Sequence, residues 1–194
     1  IDNGSADTTR DKLLTQPDVH VFFADSSYSE AGSGMVWINH LVDRIGRRGW
    51  NLYADVDEAL VFPGCESDGL DYLTGYMEQQ GHEALPSFMI DMHARRGFGA
   101  EKTAMSCMDY EEAYPFFEAR FAFHNNGVAP FYSVSGGGRR WMLADKSQQA
   151  KTPLIRGGRN IKFLSSSHII SPAVMSDVSS ALLHFRMTDQ FVAE

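Results

Sequence analysis

Asp55-Val56-Asp57-Glu58 restricts this chain more than any other segment. It stands between Asn51-Leu52-Tyr53-Ala54 and Ala59-Leu60-Val61-Phe62, each of which reads as a buried strand. A strand end therefore carries two carboxylates one residue apart. Alternate side chains of an extended chain share a face, so Asp55 and Asp57 are expected to point the same way and Val56 into the core. Like charges that close repel unless a cation lies between them, and hard oxygen ligands suit Mg²⁺ or Mn²⁺. A divalent ion on a diphosphate is the chemistry this pattern suits.

The rest of the first half alternates between strand and helix patterns. Asp2-Asn3-Gly4-Ser5 is turn and cap chemistry, and Leu13 and Leu14 ahead of Pro17 suggest a short helix. Val19-His20-Val21-Phe22-Phe23 reads as a strand with Asp25-Ser26-Ser27 as its exit loop. Met35, Val36, Ile38, Leu41, Val42 and Ile45 are spaced as one helix face, as are Leu70, Leu73, Tyr76 and Met77 before Gly81. A strand is expected over 88–92. Such alternation predicts an α/β fold, a Rossmann-type mixed sheet flanked by helices, with ligands at the carboxyl ends of the strands. From Gly97 onward the pattern is irregular, with short strands expected at 139–143, 161–164 and 181–186. No repeat or linker is visible, so one domain is expected, its halves at 1–95 and 96–194.

A chain of 194 residues with 43% hydrophobic content can build a substantial core. A net charge of -8 argues against a nucleic-acid partner, which would require a segregated basic face. Cys65 and Cys107 have neither zinc-ligand nor disulfide-framework spacing. No apolar run reaches the roughly 20 residues that span a bilayer.

Asp91, inside Phe88-Met89-Ile90-Asp91-Met92-His93, is an acid in apolar company. It reads either as a base facing an acceptor hydroxyl or as a buried carboxylate capping a loop. Gly136-Gly137-Gly138-Arg139-Arg140 and Lys151-Thr152-Pro153-Leu154 read either as segments that approach and neutralise a diphosphate or as a turn followed by a solvated basic strand. His184, on the apolar run Ala181-Leu182-Leu183, reads as a metal ligand or as a hydrogen-bonded core residue, with His168 as its competitor. Trp37, Trp50 and Trp141 read as core residues or as platforms for sugar rings.

Ile1-Asp2-Asn3-Gly4-Ser5-Ala6-Asp7, the Trp50-to-Phe62 segment with Asp55-Val56-Asp57-Glu58, and the closing Leu183-His184-Phe185-Arg186 together resemble a GT-A type glycosyltransferase. The similarity is to the family 2-like bacterial enzymes of surface polysaccharides. In that group D-N-G-S-x-D ends the second strand, so the resemblance implies that the first strand and its loop are missing here. It implies that Asp2 lies near the nucleoside and Asp25 near the base or ribose. Asp55 and Asp57 would match the D-x-D motif that holds the metal and the sugar-nucleotide diphosphate, with His184 completing the metal shell. Arg139, Lys151 and Arg186 would meet the diphosphate.

The expected activity is metal-dependent transfer from a nucleotide-diphosphate sugar to a hydroxyl of a glycan or lipid-linked saccharide, with Mn²⁺ or Mg²⁺, in polysaccharide or glycolipid synthesis. The expected location is cytoplasmic, with peripheral association at the inner face of a membrane as one route to a lipid-linked acceptor. Two rival readings use the same residues. One is a non-catalytic carbohydrate-binding or degenerate transferase module. The other is a haloacid-dehalogenase-type phosphatase with Asp55 as nucleophile, against which stand Glu58 and Ala59 where Gly and Thr are expected.

Overall fold

The computed structural model describes residues 1–94, 110–125 and 132–185. Among them the helices are α1 (Thr9–Leu14), α2 (Met35–Arg44), α3 (Leu70–Gln79), α4 (Tyr110–Ala113) and α5 (Gly137–Leu143). The strands are β1 (Trp50–Leu52), β2 (Glu58–Val61), β3 (Ala84–His93), β4 (Phe116–Phe117), β5 (Phe121–Asn125), β6 (Tyr132–Gly136), β7 (Ala150–Arg156) and β8 (Ser180–His184).

The main sheet runs β1-β7-β3-β8-β2, with β4 appended to β3, and β5 and β6 pair as a separate hairpin. It is a mixed sheet in which β3 and β8 run parallel and the other pairs are antiparallel. Strands from both halves of the chain alternate in it. Helices cover both faces. On one, Met35, Ile38 and Val42 of α2 pack with Ala84, Ile155 and Phe163. On the other, Leu73 and Met77 of α3 pack with Leu85 and Leu154. Successive strand residues point to opposite faces, so Ala84 and Leu85 serve different clusters, as do Ile155 and Leu154. The α3 helix stops where Gly81 takes φ 73, and the His82 N–H returns to the Met77 carbonyl at 2.8 Å, a glycine-terminated helix end.

One irregularity sets the register. Leu85 pairs Leu154, yet the next pair is Ser87 with Lys151, so Pro86 alone opposes Thr152 and Pro153. Neither proline has an N–H to donate, and a bulge is where a sheet tolerates that loss. A one-residue shift sends each later side chain to the other face, so the bulge turns Lys151 onto the face that carries Ser87 and Asp91.

Several local expectations change. The 139–143 segment is helix, not strand: Gly136 at φ 138 and Gly137 at φ 60 reverse the chain, and Arg, Met and Leu then favour helix. The Val19-to-Phe23 run forms only a parallel bridge between Phe23 and Asp2, and 161–164 only a bridge between Phe163 and Ile170. Val56 does not enter the core. The Glu58 N–H donates to the Asp55 carbonyl at 3.1 Å, closing a turn whose tip places Val56 in solvent. No helix among the described residues is long and apolar enough to cross a membrane.

Candidate functional site

Register alone gathers the site. Glu58 pairs His184 across β2 and β8, and His184 pairs Asp91 across β8 and β3, so these three side chains share one face. Four residues back along β3 and β8, Ser87 and Ser180 lie on the same face, with Lys151 paired to Ser87. Asp57 overhangs it from the turn, tied down by the Phe185 N–H, which donates to its carbonyl at 2.8 Å.

His184 lies between two carboxylates. Its Nδ1 is 2.8 Å from Asp91 Oδ1, and its Nε2 is 3.3 Å from Asp57 Oδ2. Asp91 is 1% exposed and receives the Arg139 guanidinium as a fork, Nε to Oδ2 and Nη2 to Oδ1, both at 2.7 Å. Burial pushes the Asp91 carboxyl up, but Arg139 and His184 outweigh it and bring it down to about 2. An ionised carboxylate only accepts, so Nδ1 carries the proton, and on a neutral ring Nε2 is left as a lone pair aimed at Asp57. Burial pushes the His184 pKa down, and Asp57 and Asp91 reverse this, leaving it raised. Hydrogen bonding to His184 in turn lowers Asp57, against some burial.

Asp55 belongs to a different cluster. Its Oδ1 accepts from Tyr53 Oη at 2.7 Å and its Oδ2 from Lys151 Nζ at 2.8 Å. Burial raises its pKa, but the bonds from Lys151 and Tyr53 win and lower it. Lys151 Nζ also lies 2.7 Å from both oxygens of Glu58, and Glu58 Oε2 accepts the Asp55 N–H at 3.1 Å. Burial, followed by the bond to Asp55, raises the Tyr53 phenol.

The residues expected at the site therefore divide. Asp57, His184 and Asp91 meet. Asp55 stands beside them with its oxygens bonded to Tyr53 and Lys151. Asp91 is walled in by Arg139, which fits a residue that orients His184 and not a base facing an acceptor. Arg139 and Lys151 are buried and committed to protein carboxylates, where a solvated basic strand was the alternative reading. Asp2 is buried, its Oδ1 accepting the Ser5 N–H at 3.0 Å, and Asp25 stands exposed in its loop. Arg186 lies outside the described residues. His168 contacts the Ala150 carbonyl through Nδ1 at 2.8 Å, and burial lowers its pKa. Glu58, Tyr53 and Gln149, whose Nε2 donates to Asp91 Oδ2 at 3.4 Å, join the cluster without having been read as site residues. For Glu58 the signal was an acid opening an otherwise apolar strand; for Tyr53 and Gln149 the sequence carried none.

Four carboxylates, Asp55, Asp57, Glu58 and Asp91, thus face two permanent cations, Lys151 and Arg139. Among the described residues, Asp57 is the one of the four that pairs with neither cation and meets His184 instead. Two ligands of one ion, each about 2.1 Å away and at right angles, stand roughly 3 Å apart, which the 3.3 Å separation of Nε2 and Oδ2 approaches. The pair fits a divalent ion that takes its remaining ligands from water or substrate. Among the described residues no group of three or more His, Cys, Asp or Glu is placed to hold one.

Asp55 and Tyr53 also border a cleft of about 890 Å³, within the size range of ligand sites. Its walls include Asn3, Tyr28, Trp37 and Phe163, and the open edge of β1 runs along it. Compared with known proteins, the chain matches no family model, no curated protein and no solved structure.

Proposed function

We propose that this protein is a metal-dependent glycosyltransferase that moves a sugar from a nucleotide-diphosphate donor to a hydroxyl of a glycan or lipid-linked saccharide. The observation that carries the reading is the His184–Asp57 pair, Nε2 3.3 Å from the carboxylate, with Asp91 holding Nδ1 from behind. Asp57 and His184 would hold Mn²⁺ or Mg²⁺, whose charge offsets that of a departing diphosphate. Asp91 and Arg139 orient the imidazole, in the manner of the outer carboxylates that set ligating histidines. Asp55, held by Lys151 and Tyr53 at the border of the aromatic cleft, would meet the donor. The cleft is large enough for a nucleotide, and Tyr28 and Trp37 offer surfaces on which a base can stack.

A second reading, a module that binds saccharide without transferring it, is favoured by the commitment of Asp91 to Arg139, which removes it as a base. The phosphatase reading is weakened because Asp55 as nucleophile would be blunted by Tyr53 and Lys151. Incubation with UDP-, GDP- and dTDP-sugars, with and without Mn²⁺, separates the three. Mn²⁺-dependent release of nucleoside diphosphate, lost in Asp57→Ala with the fold intact, supports the transferase. Equal turnover by that variant and the wild type would overturn it. Binding without release supports the module, and phosphate release from a generic phosphoester supports the phosphatase.

A further inference from the structure

The outer side of α5 carries a second, basic cleft. The α5 helix starts from the end of the β5–β6 hairpin, where the Gly137 N–H donates to the Arg120 carbonyl at 2.9 Å. A Cβ on Gly136 would stand 2.3 Å from that carbonyl oxygen, so only glycine allows this approach. The hairpin and the first turn of α5 are thereby fixed against each other. Arg139 turns inward to Asp91, whereas Arg140 and Trp141 are exposed.

A cleft of about 340 Å³ lies between this outer face and the hairpin, bordered by Arg120, His124, Arg140 and Trp141. Trp141 is 60% exposed, with the Arg120 guanidinium 5.2 Å from its ring centroid. None of the described residues that line the cleft carries a carboxylate. On a chain of net charge -8 this is a local reversal of sign, and it is concave where a nucleic-acid surface would be an extended basic stripe. An accessible indole offers a flat apolar face to the C–H side of a pyranose, and arginines supply forked donors for carboxylate or phosphate.

We propose that this cleft binds an anionic saccharide, with Trp141 as the ring platform and Arg120 and Arg140 as partners of its acid groups. Arg139 joins the cleft to the Asp91–His184 pair through adjacent residues, which suits the acceptor side of the transfer. As an acceptor site the cleft rests on the transferase reading; as a saccharide site it stands by itself.

Calorimetric titration of the full chain tests it with tetragalacturonate and glucose 6-phosphate as carboxylate and phosphate probes, and with maltotetraose as the neutral control. Binding of either anionic probe at least ten-fold tighter than maltotetraose is expected. Trp141→Ala and the double variant Arg120→Gln/Arg140→Gln should each weaken that binding at least ten-fold. All three side chains are exposed, so the circular dichroism spectrum should not change. The proposal is overturned if neither anionic probe binds, if charge makes no difference, or if the variants bind as the wild type does. It is also overturned if the protein instead sediments with phosphatidylglycerol vesicles in a Trp141-dependent way. Titration of the wild type with nucleotide sugars and Mn²⁺ separates the two levels. Saccharide binding without donor binding removes the transferase reading alone, and donor binding without saccharide binding removes this cleft alone.

Discussion

Lys151 and Glu58 form an ion pair inside the protein, the ammonium 2.7 Å from both carboxylate oxygens with the side chains 1% and 0% exposed. The proline-paired bulge brings Lys151 to this face, and Glu58 in turn accepts the Asp55 N–H. The turn that presents Asp55 and Asp57 is thus clamped from beneath.

Breaking one partner of that pair leaves a buried charge. Lys151→Met is expected to cost about 3–5 kcal/mol, and Lys151→Met/Glu58→Leu to recover much of that loss, since apolar replacements of similar volume are tolerated where a lone charge is not. Urea denaturation of the wild type, both single variants and the double variant measures the coupling. Additive losses would contradict the clamp.

Stability should fall at both ends of the pH range. The His184 pKa is raised above its ordinary 6.5, so its contribution is fully present below 6.5 and is lost as pH rises through the folded value. Asp91 works in the opposite sense. Its pKa falls from 3.8 to about 2, so a contribution of about 2 kcal/mol is present above 3.8 and is lost as pH falls toward 2. Urea midpoints from pH 2 to 9 should trace both limbs, and His184→Gln should flatten the upper one. A midpoint that climbs between pH 6 and 8 would count against the geometry around His184.

Asp91 should govern metal affinity without touching the metal. Asp91→Asn removes the carboxylate that fixes the His184 tautomer and is expected to weaken Mn²⁺ binding about 10- to 100-fold. Mn²⁺ titration followed by electron paramagnetic resonance, at a temperature where the variant is folded, gives the comparison. Unchanged affinity would detach Asp91 from the site.

Gly136→Ala should be costly. The φ of 138 is one that side chains with a Cβ rarely adopt, and the added carbon would collide with the Arg120 carbonyl. A loss of at least about 2 kcal/mol is expected by thermal denaturation, and a variant as stable as the wild type would refute the fixed hairpin-to-helix junction.

Single elements were more legible in the sequence than the way they meet. Periodicity located α2 and α3, because their apolar faces repeat over several turns and Gly81 marks an end. Apolar runs located β2, β3 and β8. The β7 segment reads as one that meets a diphosphate or as a turn with a solvated basic strand, because Lys151, Thr152 and Pro153 look unlike a buried strand until Glu58 and the bulge account for them. Asp55 and Asp57 were expected on one strand face, yet alternation holds only inside a strand, and here a turn intervenes. The meeting of Asp57, Asp91 and His184 depends on β8 returning between β3 and β2, a pairing that no local pattern encodes.

Electron spin-echo modulation of bound Mn²⁺ tests the central claim most directly. The account predicts a ¹⁴N coupling from His184 Nε2 in the wild type, absent in His184→Gln and accompanied by weakened binding in Asp57→Asn. Mn²⁺ bound without nitrogen modulation, or not bound at all, would contradict it.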